Sequence, residues 1–344
     1  MDTVLTIIVG LLVLTVLVIA HEWGHYIVGR LCHFRIEEFA AGMGPKIVSR
    51  VSKKNGIRYS LRALPIGGFV QFYGEDEDQK DPAAFNSRPK WQRALTLAAG
   101  PFMNVVVAFL LTVVVLTCFG DYTPVVRSVE QDSPAYAMGI REGDTIVSIN
   151  GQEIDFMMEV SMMTIQETNG VVDMVLERDG EEIAYDVPTM TDSETGGRVL
   201  GIGIGSERRT FGFFEAIGLS FKWLFLIVKE MFEFLGDLIF RGQGADQVAG
   251  PVGTISLIGS AIRSGPEMLL RIGALLSLNL GIMNILPFPA LDGGRLVFVG
   301  IEAIRGKPIS RNKEGYINFA GLIVLFGLMI VLTYQDIARL IAGG

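Results

Sequence analysis

Four stretches of this chain are long and apolar enough to cross a lipid bilayer, and they constrain its fold more than any other feature. Three intervals contain no charged residue: 94–120, 272–291 and 315–335. Each reaches the ~20 residues that a transmembrane helix requires. The fourth stretch, residues 4–20, lies at the short end of that range. Of the 344 residues, 50% are hydrophobic and 19% are charged, whereas soluble proteins average about 25% charged residues. The sequence therefore predicts a polytopic α-helical membrane protein with four transmembrane helices.

The first apolar stretch is interpreted as a retained span and not as a signal peptide. Residues 1–3 contain no basic side chain, and the stretch ends in His-Glu at 21–22. A signal peptide would begin with a basic region and end in a cleavage site of small residues.

Basic residues set the predicted orientation in the membrane. Lys and Arg concentrate in cytoplasmic loops, so the basic loop between the first two spans, residues 26–93, is expected on the cytoplasmic side. Four spans then place the N- and C-termini outside the cytoplasm, and the connection at 305–313 is again basic and cytoplasmic. The basic residues of the first loop are Arg30, Arg35, Lys46, Arg50, Lys53, Lys54, Arg58, Arg62, Lys80, Arg88, Lys90 and Arg93.

Alternating apolar and polar residues predict a membrane-associated β-hairpin in this loop. The alternation runs from Ile57 to Ala63, directly after an Asn-Gly pair at 55–56, which is a strong hairpin signal. An apolar, glycine-punctuated segment follows at 64–75. Its edge is suited to pairing with an extended substrate, because strand edges carry unpaired backbone groups. The alternative is a hairpin that only packs on the membrane surface.

The region after the second span has a different composition. Residues 121–210 contain eighteen acidic residues against six Arg and no Lys. Short alternating segments at 125–129, 145–149 and 171–176, separated by Gly-containing turns, predict β-strands. A single acidic α+β domain is therefore expected on the extracytoplasmic side.

Residues 213–240 are apolar enough to suggest a fifth span, but their charges fall on one side. At 100° per residue the charged side chains occupy a sector of about 100°, which indicates an amphipathic interfacial helix. Four spans place Asp292 near the cytoplasmic face, whereas five would place it at the opposite face. The charged residues are Glu215, Lys222, Lys229, Glu230, Glu233 and Asp237.

The sequence His-Glu-Trp-Gly-His at residues 21–25 closes the first span. On a helix, residues four apart share one face, so His21 and His25 can bind one metal ion with Glu22 beside it. Ionisable groups in a membrane span are functional by default. Zinc accepts imidazole and carboxylate ligands, and a catalytic zinc site requires a third protein ligand.

Four residues are candidates for the third ligand. His33 does not fit the metzincin spacing, which places a histidine where Leu31 stands. Glu37 and Glu75 are interpreted as solvated charges of the loop. Asp292 lies where prolines and a Gly-Gly pair break the third span, and such irregular backbone at membrane depth lines a cavity or is buried in protein. Asp292 is therefore the preferred candidate.

Taken together, these residues resemble the site-2 protease family of intramembrane zinc metalloproteases. The resemblance rests on residues 21–25 with Asn-Ile-Leu-Pro-Phe-Pro-Ala-Leu-Asp-Gly-Gly at 284–294. Segments within 133–151 resemble a PDZ domain, and those at 99–104 and 250–253 resemble the bacterial, RseP-like branch. The sequence has room for a single PDZ domain where the best-known members carry two.

The resemblance implies a site and a reaction. His21, His25 and Asp292 would bind one zinc ion per chain, with Glu22 as the catalytic general base. The expected substrate-binding residues are Gly68, Phe69, Val70 and Asn284. The expected function is regulated intramembrane proteolysis of single-span membrane proteins, such as anti-sigma factors or remnant signal peptides, after their extracytoplasmic trimming. The alternative is a non-catalytic membrane scaffold that presents a PDZ domain.

The resemblance also implies partners and a location. The expected partners are single-span substrates, a C-terminal peptide at the PDZ-like domain and the lipid bilayer, with no nucleic acid. The expected location is the inner membrane of a bacterium, with the active site near the cytoplasmic side. The predicted segments are the spans 1–30, 93–120, 268–304 and 315–340, the cytoplasmic loops 31–92 and 305–314, the PDZ-like domain 121–210, and the interfacial helix with the Gly-Pro-Val-Gly segment, 211–265.

Overall fold

The computed structural model describes residues 3–75, 81–162, 170–191, 198–245 and 248–342. Lys80 of the basic loop and residues 1–2 lie outside this description. The helices are α1 (Thr3–Leu31), α2 (Lys90–Cys118), α3 (Pro134–Ala137), α4 (Met157–Met162), α5 (Phe213–Gly236), α6 (Pro251–Ser264), α7 (Pro266–Ile285), α8 (Asp292–Arg305) and α9 (Arg311–Ala342). The strands are β1 (Ile36–Val51), β2 (Arg58–Phe72), β3 (Asp121–Val129), β4 (Thr145–Ile149), β5 (Gln152–Glu153), β6 (Val171–Arg178), β7 (Glu181–Pro188), β8 (Met190–Thr191), β9 (Arg198–Val199) and β10 (Ile202–Arg209).

Four of the described helices are long and apolar enough to cross a membrane, as the sequence predicts. They comprise Thr6–Leu31, Lys90–Cys118, Pro266–Ile285 and Arg311–Arg339. The predicted third span, 268–304, is not one continuous helix, because α7 ends at Ile285 and α8 begins at Asp292.

The chain divides into two compact units, 1–112 with 221–344 and 113–220. In the second unit an antiparallel sheet has the strand order β10-β3-β4-β6-β7, and β5 pairs with β4. The predicted strands at 125–129, 145–149 and 171–176 all lie in this sheet. Its core is apolar and includes Val126, Ile146, Val172 and Met174, each fully buried.

In the first unit, β1 and β2 form the predicted antiparallel hairpin. The turn between them is closed by hydrogen bonds between Ser52 and Ile57 and between Gly56 and Ser52. Gly56 has a φ of +70°, a conformation that glycine adopts without steric cost. The Asn-Gly pair therefore marks the position at which the chain reverses.

A buried carboxylate joins the two strands of the hairpin. Glu38 of β1 is 3% exposed and accepts hydrogen bonds from Ser60, Arg62 and Lys46 at 2.6, 2.8 and 3.0 Å. Burial alone would raise the pKa of Glu38, but these donors favour the charged form and lower its pKa to about 2.

The break between α7 and α8 depends on two glycines. A Cβ at Gly293 would overlap the carbonyl oxygens of Ile285 and Leu286, and a Cβ at Gly294 would overlap that of Phe288. The first turn of α8 therefore packs directly on the irregular backbone that precedes it. This close approach fixes the position of Asp292, the first residue of α8.

Helix α5 packs one face against α2 and α7. Leu224 of α5 belongs to a buried cluster with Ala108 of α2 and Leu278 of α7. The charged residues Lys229 and Glu233 remain exposed. This separation of apolar and charged faces agrees with the amphipathic pattern of the sequence, and the interfacial location of α5 stays a prediction.

Candidate metal centre

Three potential ligand atoms converge between α1 and α8. Nε2 of His21 and Nε2 of His25 lie 3.0 and 3.3 Å from Oδ2 of Asp292, and the two Nε2 atoms are 3.2 Å apart. Tetrahedral zinc with bonds of about 2.0–2.2 Å would separate its ligand atoms by about 3.3–3.6 Å, a few tenths of an ångström more than the distances here. The two imidazoles and the carboxylate therefore fit a zinc ion in both chemistry and spacing.

The site is shielded from solvent. His21 and His25 are 6% and 7% exposed, and the side chain of Asp292 is 16% exposed. Among the described residues, these three form the group of His, Cys, Asp and Glu that could hold a metal ion. Sequence spacing brings the histidines together, and the break before α8 brings the aspartate to them.

Residues of helix α2 contact both imidazole rings. Nδ1 of His25 lies 2.8 Å from the carbonyl oxygen of Thr96, and Nδ1 of His21 lies 3.2 Å from the side-chain nitrogen of Asn104. Between these two contacts, Gly100 lies so close to the rings that a Cβ would overlap Nε2 of His25 and crowd Nε2 of His21. The lack of space for a Cβ gives a physical reason for the glycine at position 100.

Glu22 points toward the hairpin. Its Oε2 accepts a hydrogen bond from the backbone N–H of Val70 at 3.0 Å. A Cβ at Gly68 would lie 3.4 Å from Cγ of Glu22. The carboxylate is therefore held between α1 and β2, next in sequence to His21 and near His25.

One cavity of about 390 Å³ connects all of the predicted site residues. Glu75, Thr96 and Arg295 also contribute to its walls. The predicted residues that line it are His21, Glu22, His25, Gly68, Phe69, Val70, Asn284 and Asp292.

The amide of Asn284 already takes part in one contact. Its Nδ2 donates to the carbonyl oxygen of Leu280 at 2.9 Å, a hydrogen bond within α7. The amide nitrogen carries two hydrogens, so this bond does not use its whole donor capacity.

The remaining ligand candidates lie elsewhere. His33 is exposed with a φ of +59°, and its carbonyl oxygen accepts a hydrogen bond from Arg88. Glu37 is partly exposed. The interpretation of Glu75 as a solvated charge is wrong, because its side chain is 13% exposed and forms an ion pair with Arg295.

Sequence reasoning missed several of the residues that surround the site. Thr96 acts through its backbone, so no side-chain signal identifies it. Asn104 lies in the segment 99–104, which resembles the bacterial branch of the family but has no predicted role for this residue. Arg295 follows Asp292 by three residues, and that spacing on a helix could have identified it as a neighbour of the site.

Comparison with known proteins agrees with this geometry. The model of peptidase family M50 matches residues 9–328. The zinc metalloprotease RasP of Shouchella clausii is 31% identical, over 97% of this chain and 99% of its own length. Two proteins inferred to be zinc metalloproteases are about equally similar. The protein of Agrobacterium fabrum is 33% identical over 96% of this chain and 95% of its own length. The protein of Clostridium acetobutylicum is 34% identical over 96% of this chain and 97% of its own length.

The match extends from the first apolar helix into the last, and so includes both elements of the metal centre. The chain is therefore a member of peptidase family M50, the site-2 protease family of intramembrane zinc metalloproteases.

Proposed function

We propose that this protein is an endopeptidase that cleaves the transmembrane segments of single-span membrane proteins inside the bilayer. The observation that carries the proposal is the convergence of His21 and His25 with Asp292 beside a carboxylate, within helices apolar enough to span a membrane. A zinc peptidase in such a setting acts on peptide bonds at membrane depth.

His21 and His25 would hold the zinc ion through Nε2, and Asp292 would hold it through a carboxylate oxygen. When bound, zinc supplies Lewis acidity, which polarises the scissile carbonyl and makes water nucleophilic near neutral pH. The two histidines are buried and Asp292 is partly exposed to the cavity. Because Asp292 lies at the start of α8, the side of the metal centre that faces the cavity stays open for a substrate.

Glu22 acts as the general base. Its carboxylate accepts a proton from the attacking water and passes it to the amine nitrogen as the peptide C–N bond breaks. The hydrogen bond from Val70 holds the carboxylate toward the cavity. One water is consumed, and two shorter peptides are released.

The substrate helix has to unwind before it is cut, because its carbonyl groups are otherwise hydrogen-bonded within the helix. Residues 68–70 of β2 line the cavity beside Glu22, and we propose that the unwound segment pairs with them as an added strand. The second N–H of Asn284 donates to the substrate backbone or to the developing oxyanion.

We assign the acidic region of residues 121–210 the fold and role of a PDZ-like domain. Its antiparallel sheet agrees with this assignment. It faces the extracytoplasmic side, binds a C-terminal peptide or filters substrates, and admits those that have already been trimmed. The metal centre lies near the cytoplasmic face, and anti-sigma factors or remnant signal peptides are the substrate class that this arrangement suits.

The decisive experiment compares purified wild-type protein with Glu22→Gln and Asp292→Ala, using a single-span substrate in the same membrane. We expect Glu22→Gln to retain about one zinc per chain and lose cleavage by roughly 10²–10⁴-fold, the usual contribution of a general base. Asp292→Ala should lose most of the zinc. Glu37→Gln is the matched control and should leave both properties unchanged.

Two results would contradict the proposal. Cleavage at the wild-type rate by Glu22→Gln would remove this carboxylate from the reaction and favour a non-catalytic PDZ-bearing scaffold. Full zinc content in Asp292→Ala would require a different third ligand. If Glu22→Gln is inactive as expected, comparison of membrane proteomes with active enzyme and with Glu22→Gln would identify the single-span proteins that stay uncleaved in the variant.

A further inference from the structure

Asn104 of α2 is fully buried beside the metal centre, and its side chain is only partly satisfied. Its Nδ2 lies 3.2 Å from Nδ1 of His21, while its Oδ1 is buried with no hydrogen-bond partner among the described residues. The backbone carbonyl oxygen of Asn104 accepts a hydrogen bond from Ser277 at 2.8 Å, so the main chain is held firmly at this point.

This orientation of the amide is incompatible with a metal on His21. An amide N–H can donate to Nδ1 only if that nitrogen carries no hydrogen, and a neutral imidazole then carries its hydrogen on Nε2. Nε2 is the atom that faces His25 and Asp292. A protonated Nε2 cannot bind zinc.

Rotation of the Asn104 amide by 180° reverses the assignment. Its oxygen and nitrogen have nearly the same size, and the hydrogen-bond network decides which way they point. In the rotated state Oδ1 accepts the Nδ1–H of His21, and the lone pair of Nε2 is directed at the metal position. Metal-binding histidines almost always donate their second ring N–H to such an acceptor.

We propose that Asn104 is the positioning residue of His21. In this assignment its Oδ1 accepts the Nδ1–H of His21 and so fixes the ring and its tautomer for metal binding through Nε2. This inference rests on the proposed zinc site.

The two histidines therefore differ in how they are prepared for the metal. Nδ1 of His25 faces the backbone carbonyl of Thr96, which can only accept a hydrogen bond and cannot rotate. The tautomer of His25 is fixed by the fold of α2, whereas that of His21 depends on one replaceable side chain. A substitution at residue 104 can test this dependence.

The first test measures zinc affinity of the purified full chain by competition with a chromophoric chelator, without any substrate. Asn104→Leu keeps the size of the side chain but removes the acceptor, and its zinc affinity is expected to fall about 10–100-fold. Asn104→Asp keeps an acceptor and has no amide donor, so it should bind zinc at least as tightly as the wild type. If Asn104→Asp is as weak as Asn104→Leu, or if Asn104→Leu binds normally, the proposal is overturned.

The second test reads the tautomer directly. The chain contains three histidines, so ¹⁵N-histidine labelling gives at most six ring-nitrogen signals. In the zinc-loaded wild type, we expect Nδ1 of His21 to carry a hydrogen that is bonded to oxygen, and we expect this signal to shift in Asn104→Leu. A merely structural role of Asn104 would leave the signal in place.

The results also separate this inference from the zinc site itself. A wild-type protein that binds no zinc would contradict both. A wild-type protein that binds zinc with Nδ1 of His21 unprotonated would overturn the role of Asn104 alone, and that measurement does not depend on the folding of any variant.

Discussion

The carboxylate of Glu22 on α1 accepts a hydrogen bond from the backbone N–H of Val70 on β2, at 3.0 Å. One side chain therefore has two tasks in the proposed mechanism, since it carries the proton and also fastens the strand that receives the substrate. This hydrogen bond joins the hairpin of β1 and β2 to helix α1 beside the proposed metal centre.

These two tasks can be separated by substitution. Glu22→Gln retains a side-chain oxygen that accepts from Val70, whereas Glu22→Ala removes it. We expect the Val70 amide to exchange hydrogen at least ~10-fold faster than wild type in Glu22→Ala, because the bond to a charged group contributes about 1.5–3 kcal/mol. In Glu22→Gln, whose neutral oxygen forms a weaker bond, the exchange rate should lie between those of the wild type and Glu22→Ala. Hydrogen exchange of peptides covering residues 67–72 measures this. Equal rates in the two variants would show that Glu22 does not hold the strand.

Gly100 should be intolerant of the smallest substitution. A Cβ at this position overlaps Nε2 of His25, and overpacking of a tight interior costs about 1–3 kcal/mol. Gly100→Ala is therefore expected to lower zinc affinity at least ~10-fold. Gly327→Ala in α9, where an added Cβ meets no atom within 4 Å, is the matched control. Wild-type zinc affinity in Gly100→Ala would mean that the imidazoles can move aside.

Asp336 should determine the stability of α6. It is 3% exposed and accepts hydrogen bonds from the backbone N–H groups of Gly250 and Gly253 at 3.1 and 2.7 Å, although it belongs to α9. Asp336→Ala leaves these donors unpaired, at a cost of about 1–3 kcal/mol. Faster hydrogen exchange in residues 251–258 is expected, with Tyr334→Phe on the same helix as the control. Unchanged exchange would show that α6 is held by its other contacts.

The hairpin should lose stability in acid through Glu38. Its pKa is about 2 in the folded protein against an ordinary value of 4.5. A lowered folded-state pKa gives stability that is fully present above pH 4.5 and is lost as the pH falls toward 2. The shift corresponds to at most about 3 kcal/mol. Thermal unfolding in detergent from pH 6 to pH 2 measures it, and Glu38→Gln should flatten this dependence while Glu37→Gln should not. An unaltered slope in Glu38→Gln would assign the effect to other groups.

Local sequence patterns predicted the parts of the molecule that depend on local structure. The spacing of His21 and His25 needs only a helix, and the turn at 55–56 needs only the Asn-Gly pair. Asp292 was a longer-range prediction, made by counting membrane spans. The structure brings its carboxylate to His21 and His25, and its role as a metal ligand stays a prediction. The strands of the acidic region were predicted, like the hairpin, from the alternation of apolar and polar residues, which is also a local pattern.

The features that sequence reasoning missed depend on partners that are distant in the chain. Glu75 appeared solvated because its partner, Arg295, lies 220 residues away. Asn104 and Gly100 act on rings that belong to another helix, so their surroundings are defined only once α1 and α2 are packed. No periodicity in a single segment contains that information.

The edge of β2 is already partly occupied. The N–H groups of Val70 and Phe72 donate to the carboxylates of Glu22 and Glu75, so an incoming strand on the proposed pairing competes with two glutamates for the backbone. A short unwound stretch of the substrate would match the remaining, unoccupied part of the β2 edge more closely than a long one would. Such an enzyme would choose its cleavage position by where a helix opens locally, and substrates with a glycine or proline near the cut would open at the lowest cost.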